Sequence, residues 1–138
     1  MKAALFFLLL ISNSLLFAQN NNSLATKLIS KWKAVSKVET EKTDGKVTDT
    51  DNEIYKTGEK SYEFTKKNTV IITQDFGKHK EELPISISGN KVFIGKANKS
   101  KDPYIFNFEQ GKLKLIKTET ETKKGKKIIE TEVVILQQ

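Results

Sequence analysis

From Lys31 to Leu136 apolar and polar residues alternate with a period of two. Such alternation marks strands with one buried and one wet face. Turn residues interrupt it at roughly eight- to twelve-residue intervals, the spacing of an all-β sandwich or barrel. The pattern predicts eight strands: Lys31 to Glu41, Lys60 to Thr65, Thr69 to Phe76, Lys80 to Ser88, Lys91 to Ile94, Tyr104 to Glu109, Lys112 to Thr122 and Lys126 to Leu136. The polar stretch from Lys42 to Glu59 reads as a long connection between the first two. Ahead of the strands, Ser23 to Ile29 can form a short helix capped by Asn22 or Ser23, with Leu24 and Leu28 on one face. Successive hairpins make an up-and-down meander, and closing it into a barrel removes both open edges.

Registers follow from the turn residues. A two-residue loop at Gly77-Lys78 sets Ile72 against Leu83, Val70 against Ile85 and Asp75 against Lys80. A loop at Gly89-Asn90 pairs Ile87 with Val92 and Ile85 with Ile94. A loop at 66–68 pairs Phe64 with Val70 and Tyr62 with Ile72, and one at Gln110-Gly111 pairs Phe108 with Leu113 and Phe106 with Leu115. Each register stacks apolar on apolar, as a correct one must. The expected inward set runs from Trp32, Ala34 and Val38 through Tyr62, Phe64, Val70, Ile72, Leu83, Ile85, Ile87, Val92, Ile94, Tyr104, Phe106, Phe108, Leu113 and Leu115 to Val134 and Leu136.

The last two strands break the rule. The parity that buries Leu113, Leu115, Val134 and Leu136 also turns Lys117, Glu119, Glu130 and Glu132 inward. Lys117 then faces Glu132, and Glu119 faces Glu130. Two opposed carboxylates are costly in a dry lumen. The strands therefore reach a wet barrel mouth, or a β-bulge flips them so that Ile129, Thr131 and Val133 point in.

Composition narrows the setting. Met1 to Ala18 carries one charge, Lys2, a short apolar run and a small residue before Gln19, the form of a secretory signal peptide. The run is too short and interrupted to span a membrane. The expected organisation is a signal peptide over 1–18 and a single domain over 19–138, in a periplasmic or secreted protein. With no Cys, neither a disulfide nor a thiolate metal site can form. The net charge of +7 comes from Lys alone; Arg is absent. Sequence-reading nucleic-acid binding relies heavily on guanidinium groups, so a nucleic-acid partner is not expected. The one histidine, His79, sits beside a turn with no second His or Cys to complete a site, and no triad or phosphate loop is visible. Neither enzyme activity nor a metal or cofactor is expected.

The short helix, Trp32 at the start of the first strand and the meander that follows resemble the small exported lipocalin-like (calycin) barrels of bacteria. Leu28-Ile29-Ser30-Lys31-Trp32-Lys33 is close to their usual Leu-x-Gly-x-Trp opening, with Ser30 at the Gly position. The Arg that lipocalins often lay over this Trp has no counterpart here. The resemblance implies a small apolar or amphipathic ligand in the lumen, against Tyr62, Phe64, Ile72, Tyr104, Phe106 and Phe108. With the helix closing the bottom, the open end carries the Lys-rich turns. Lys99, Lys101, Lys117, Lys124 and Glu132 are the candidate mouth residues, with Lys99, Lys101 and Lys124 suited to an anionic head. The alternative is a structural or interaction protein of the cell envelope whose barrel is filled by its own side chains, since eight strands enclose little free space.

Overall fold

The structure, a computed structural model, describes residues 23–96 and 102–138. The leader over 1–18, and with it Lys99 and Lys101, lies outside the described residues. A helical turn at residues 23–28 leads into nine strands. These are β1 (Lys31–Thr43), β2 (Lys46–Ile54), β3 (Ser61–Phe64), β4 (Thr69–Gln74), β5 (His79–Ser88), β6 (Lys91–Ile94), β7 (Tyr104–Glu109), β8 (Lys112–Lys123) and β9 (Lys126–Gln137). All pairings are antiparallel, in the order β2-β1-β3-β4-β5-β6-β7-β8-β9, and β1 closes the sheet on β9. β2 and β3 lie end to end along one side of β1, β3 against Lys31 to Lys33 and β2 against Ser36 to Thr43. Eight strand positions therefore circle the barrel, the up-and-down all-β architecture expected from the alternation.

Three hairpins turn on two residues that both have positive φ: Asp44-Gly45, Gln110-Gly111 and Lys124-Gly125. This is the type I′ geometry whose twist matches that of paired strands. The loop registers at 66–68, Gly89-Asn90 and Gln110-Gly111 are those the turn residues predict, down to Phe64 opposite Val70, Ile87 opposite Val92 and Phe106 opposite Leu115.

Four expectations are corrected. The polar stretch after Glu41 is no loop; β1 runs on to Thr43 and β2 returns through Lys46–Ile54. The turn at Gly77 is longer than two residues, because Asp75 to Gly77 form a 3-10 turn with Asp75 and Phe76 at positive φ. Gln74 thus faces His79, and Val70 faces Leu83. The slip is two residues, so parity survives and the core is unchanged. Asp75 bonds His79 at 3.3 Å instead of reaching Lys80. Finally, the bulge falls in β1 at Val35, between Ala34 and Ser36, while β8 and β9 pair without a shift. Val38 consequently stands opposite Val133 on the outer face, and Ile129, Thr131 and Val133 stay outside.

Apolar side chains pack the barrel interior. Leu28, Phe64, Val70, Val92, Phe106, Leu113, Leu115, Val134 and Leu136 are at most 1% exposed. Trp32 closes the helix end: its ring packs on Phe108 (centroids 5.8 Å apart), and its Nε1–H donates to the Leu28 carbonyl at 3.0 Å. Phe106 meets Phe108 edge-on at 5.9 Å. At the other end β1, β2, β8 and β9, of 13, 9, 12 and 12 residues, outrun the 4- to 6-residue strands β3, β4, β6 and β7. They continue past the rim as a four-stranded sheet in the order β2-β1-β9-β8.

Candidate functional site

A register shift at Thr48 sets which residues of β2 this extension shows on its inner side, and the bulge at Val35 sets those of β1. Beyond it the odd-numbered residues of β1 face inward, beside the even residues of β9. Reading across β2, β1, β9 and β8, the first row is Glu53, Lys37, Val134 and Leu115. Next comes Asp51, Glu39, Glu132 and Lys117, and above it Asp49, Glu41, Glu130 and Glu119. A pocket of about 220 Å³ lies against the two upper rows, lined by seven carboxylates and by Lys117. Directly opposed like charges across a sheet are destabilising. The upper row is four carboxylates side by side, tolerable because this surface is wet.

Below the carboxylates a polar seam divides mouth from core, and all three tyrosines of the chain belong to it. Tyr104 donates its hydroxyl to Glu132 Oε1 at 2.8 Å, with Lys117 Nζ 5.8 Å from its ring centre. Tyr55 donates to Glu53 Oε2 at 2.5 Å. Lys60 Nζ sits over the rings of both Tyr55 and Tyr62, at 5.4 and 5.6 Å. Lys37 bridges Glu39 at 3.0 Å and Glu53 at 3.3 Å, and Lys117 pairs with Glu119. Burial, then the nearby Glu132 charge, push the Tyr62 and Tyr104 phenols well above their usual range. Burial and the Glu53 carboxylate do the same to Tyr55. The Tyr55 hydroxyl in turn holds Glu53 below the ordinary carboxylate range, with help from Lys37. Burial lowers Lys60, reinforced by the charge of Lys37. Burial would also lower Lys37, but its bonds to Glu39 and Glu53 outweigh it and leave the group raised.

Of the residues expected to line a lumen, Tyr62, Phe64 and Phe106 are buried in the core, and Ile72, Tyr104 and Phe108 pack against it half-buried. Lys117 and Glu132 do meet at the mouth, opposite one another as their register requires. Lys124 lies away from them, exposed in the β8–β9 turn at the tip of the extension. The lysines of the tip hairpins, Lys46, Lys123, Lys124, Lys126 and Lys127, are likewise exposed. Among the described residues the inner face of the extension is therefore acidic; Lys99 and Lys101, expected at the mouth, lie outside them. His79 is exposed. Among the described residues no group of three or more His, Cys, Asp and Glu converges to hold a metal, since the carboxylates are spread along four strands. No helix among them is long and apolar enough to cross a membrane. An open depression of about 480 Å³ at the helix end touches Trp32 and Phe108.

Glu39, Glu41, Asp49, Asp51, Glu53, Tyr55 and Lys60 went unnoticed in the sequence. Asp44-Gly45 was the available signal, since Asp-Gly between two alternating stretches marks a hairpin. It pairs Thr43 with Lys46 and Lys42 with Val47, but Glu41 meets Asp49 only through a register shift that skips Thr48, which the turn does not announce. Comparison of the chain with protein-family models, with curated proteins and with solved structures gives no match.

Proposed function

We propose that this chain is an exported, lipocalin-like interaction protein of the cell envelope, whose barrel is a filled scaffold and whose working surface is the acidic inner face of the extension. The observation that carries this reading is the contrast between the two ends of one sheet. The aromatic side chains suited to line a lumen belong to the packed core or lie against it, Phe64 and Phe106 being 1% exposed. Seven carboxylates gather just above, on a chain whose net charge is +7. Export rests on the leader-like Met1 to Ala18 stretch, and the lipocalin-like kinship on the Trp32 motif and the eight strand positions.

Such a face recruits cationic partners by complementarity, which speeds encounter and sets specificity more than it adds affinity. Poly-L-lysine is the simplest probe. At low salt the folded protein should bind it saturably although both carry net positive charge, and binding should fall as salt screens the charges. The combined substitution Glu41→Gln, Glu119→Gln, Glu130→Gln should abolish it. Equal binding by the substituted protein would overturn the reading.

One observation favours a second reading, a carrier of a small amphipathic molecule. The 220 Å³ pocket adjoins the half-buried Tyr104 ring through Lys117 and Glu132, so an apolar group with a polar head has a place at the rim. Saturable uptake of a hydrophobic fluorescent probe, weakened by Phe106→Trp, would support that carrier over the filled scaffold.

A further inference from the structure

The extension ends in an open edge. Among the described residues β2 pairs with β1 alone and terminates the strand order. Its backbone directions are fixed by the ladder. The Tyr55 N–H donates to the Val35 carbonyl at 3.0 Å, one step beyond the Ile54–Ser36 pair. Hydrogen bonding alternates along an antiparallel pair, so Glu53, Asp51 and Asp49 bond toward β1, and Asn52 and Thr50 point their N–H and C=O groups away from it. The Thr50 N–H, lacking a strand partner, takes the Asp49 Oδ1 at 2.9 Å instead. Free edges of this kind are templates for a further strand.

We propose that β2 is a docking edge for an extended basic peptide segment of another protein, added antiparallel as the next strand. This rests on the preceding reading of the acidic face and names the partner that the face would take. In an added strand, alternate side chains fall beside Asp49, Asp51 and Glu53, at about 4.5–5.5 Å between Cβ atoms. Lys or Arg at every second position satisfies all three. The residues between them fall on the outer side, beside Thr50 and Asn52, flanked by the exposed Val47 and Ile54. Main-chain bonds would supply affinity and the alternate side chains specificity, as in β-strand addition generally. A second copy of the chain is a poor occupant. Any antiparallel register of β2 on β2 that keeps the faces aligned opposes Asp or Glu to Asp or Glu, which works against self-association. The other long strand of the extension, β8, alternates Lys117, Glu119, Glu121 and Lys123 and offers no single sign.

The geometry makes a demand that simple charge attraction does not. The bonds to Thr50 and Asn52 must come from the peptide residues opposite them, those between the basic ones. The probe is a fluorescent alternating Lys-Thr peptide about ten residues long, near the upper end of natural strand lengths. At low ionic strength it should bind the folded protein saturably. N-methylation of its Thr amides should weaken binding by about tenfold or more, whereas N-methylation of its Lys amides, which point away, should cost far less. A block peptide of the same composition should bind about tenfold more weakly. Asp49→Asn with Asp51→Asn should lower affinity to a similar degree, and Thr50→Pro, which removes only the outward donor, should do so with the β1–β2 ladder intact. The methylated peptides keep the test valid even if a variant folds poorly. Equal binding of alternating, block and Thr-methylated peptides would overturn the edge while leaving the acidic face in place. Failure of every cationic probe, poly-L-lysine included, would overturn both. Peptide-free dimers disrupted by Thr50→Pro would assign the edge to a second copy and overturn the heterologous partner.

Discussion

Val35 is the residue on which the site turns. As the bulged position it lets Trp32 and Ala34 face the core and, three residues later, lets Lys37 and Glu39 face the mouth. Without it, Val38 would point inward and the carboxylates of β1 would be scattered over the outer wall. An extra residue in a strand re-aims everything that follows, which is why bulges gather beside functional surfaces. The consequence can be measured at two valines. Val38 lies on the outer face beside Thr40, while Val134 is 1% exposed in the core. Val38→Thr should change unfolding free energy by less than about 0.5 kcal/mol, as surface substitutions do. Val134→Thr buries a hydroxyl with no partner and should cost about 1–3 kcal/mol. Urea melts of the two variants decide the matter; equal losses would place Val38 in the core and remove the bulge.

Among the elements, stability should be unevenly shared. The barrel strands bury apolar side chains on their inner face, but β2 has only Val47 and Ile54 as large apolar residues, and these are 60% and 78% exposed. What holds β2 against β1 is polar: main-chain bonds, the Lys37–Glu53 bridge, the Thr48 hydroxyl donating to Glu41 Oε1 at 2.6 Å, and the Asp44-Gly45 turn. Weakly packed units open first, with little cost. Hydrogen exchange should find the amides of 46–54 that bond to β1 the least protected of the sheet, and those of Leu115 and Val134 the most. Uniform protection across β2 and β8 would contradict this. The same poverty of apolar residues made β2 hard to read in the sequence. Where both faces of a strand are wet, hydrophobicity does not alternate, and periodicity reports only the strands that touch a core. Asp44-Gly45 carried the hairpin signal, but the residues after it had no apolar stripe to extend it. The other hairpins were legible because loop residues and core contacts agreed, as at Phe106 opposite Leu115. The Gly77 turn was half legible: the glycine marked the place, but not that Asp75 and Phe76 would enter the left-handed region. As for the candidate site, Lys117 opposite Glu132 and Glu119 opposite Glu130 were visible, because two strands joined by a tight turn determine their own register. The contribution of β1 was hidden by a bulge with no compositional mark.

At the scale of the molecule, the mouth, the seam and the core form a gradient from charge to hydrocarbon, and the three tyrosines hold its middle. Their phenols are all raised, by burial first and by the charges of Glu132 or Glu53 second. A group whose pKa is higher folded than unfolded contributes stability that is complete below the unfolded value, about 10 for tyrosine, and is lost as pH rises through the folded one. Lys37, raised by its carboxylate partners, acts in the same direction. Lys60, lowered by burial and by Lys37, acts in the opposite one: its burial penalty is relieved as it loses its proton. Three phenols outweigh one amine, so the protein should weaken steeply above about pH 10, with tyrosine ionisation and unfolding occurring together. Tyr62 isolates the effect. No Glu bond holds its hydroxyl as Tyr104 and Tyr55 are held, so Tyr62→Phe should alter stability near pH 7 by less than about 1 kcal/mol. In the alkaline range it removes one of the three groups that the unfolded chain ionises more readily, so its stability should fall less steeply than that of the parent. Chemical melts from pH 8 to 12, with phenolate absorbance followed alongside, give both curves. Parallel curves for parent and variant would mean that the Tyr62 phenol titrates as freely in the folded protein as in the unfolded chain, and that the seam is open to water.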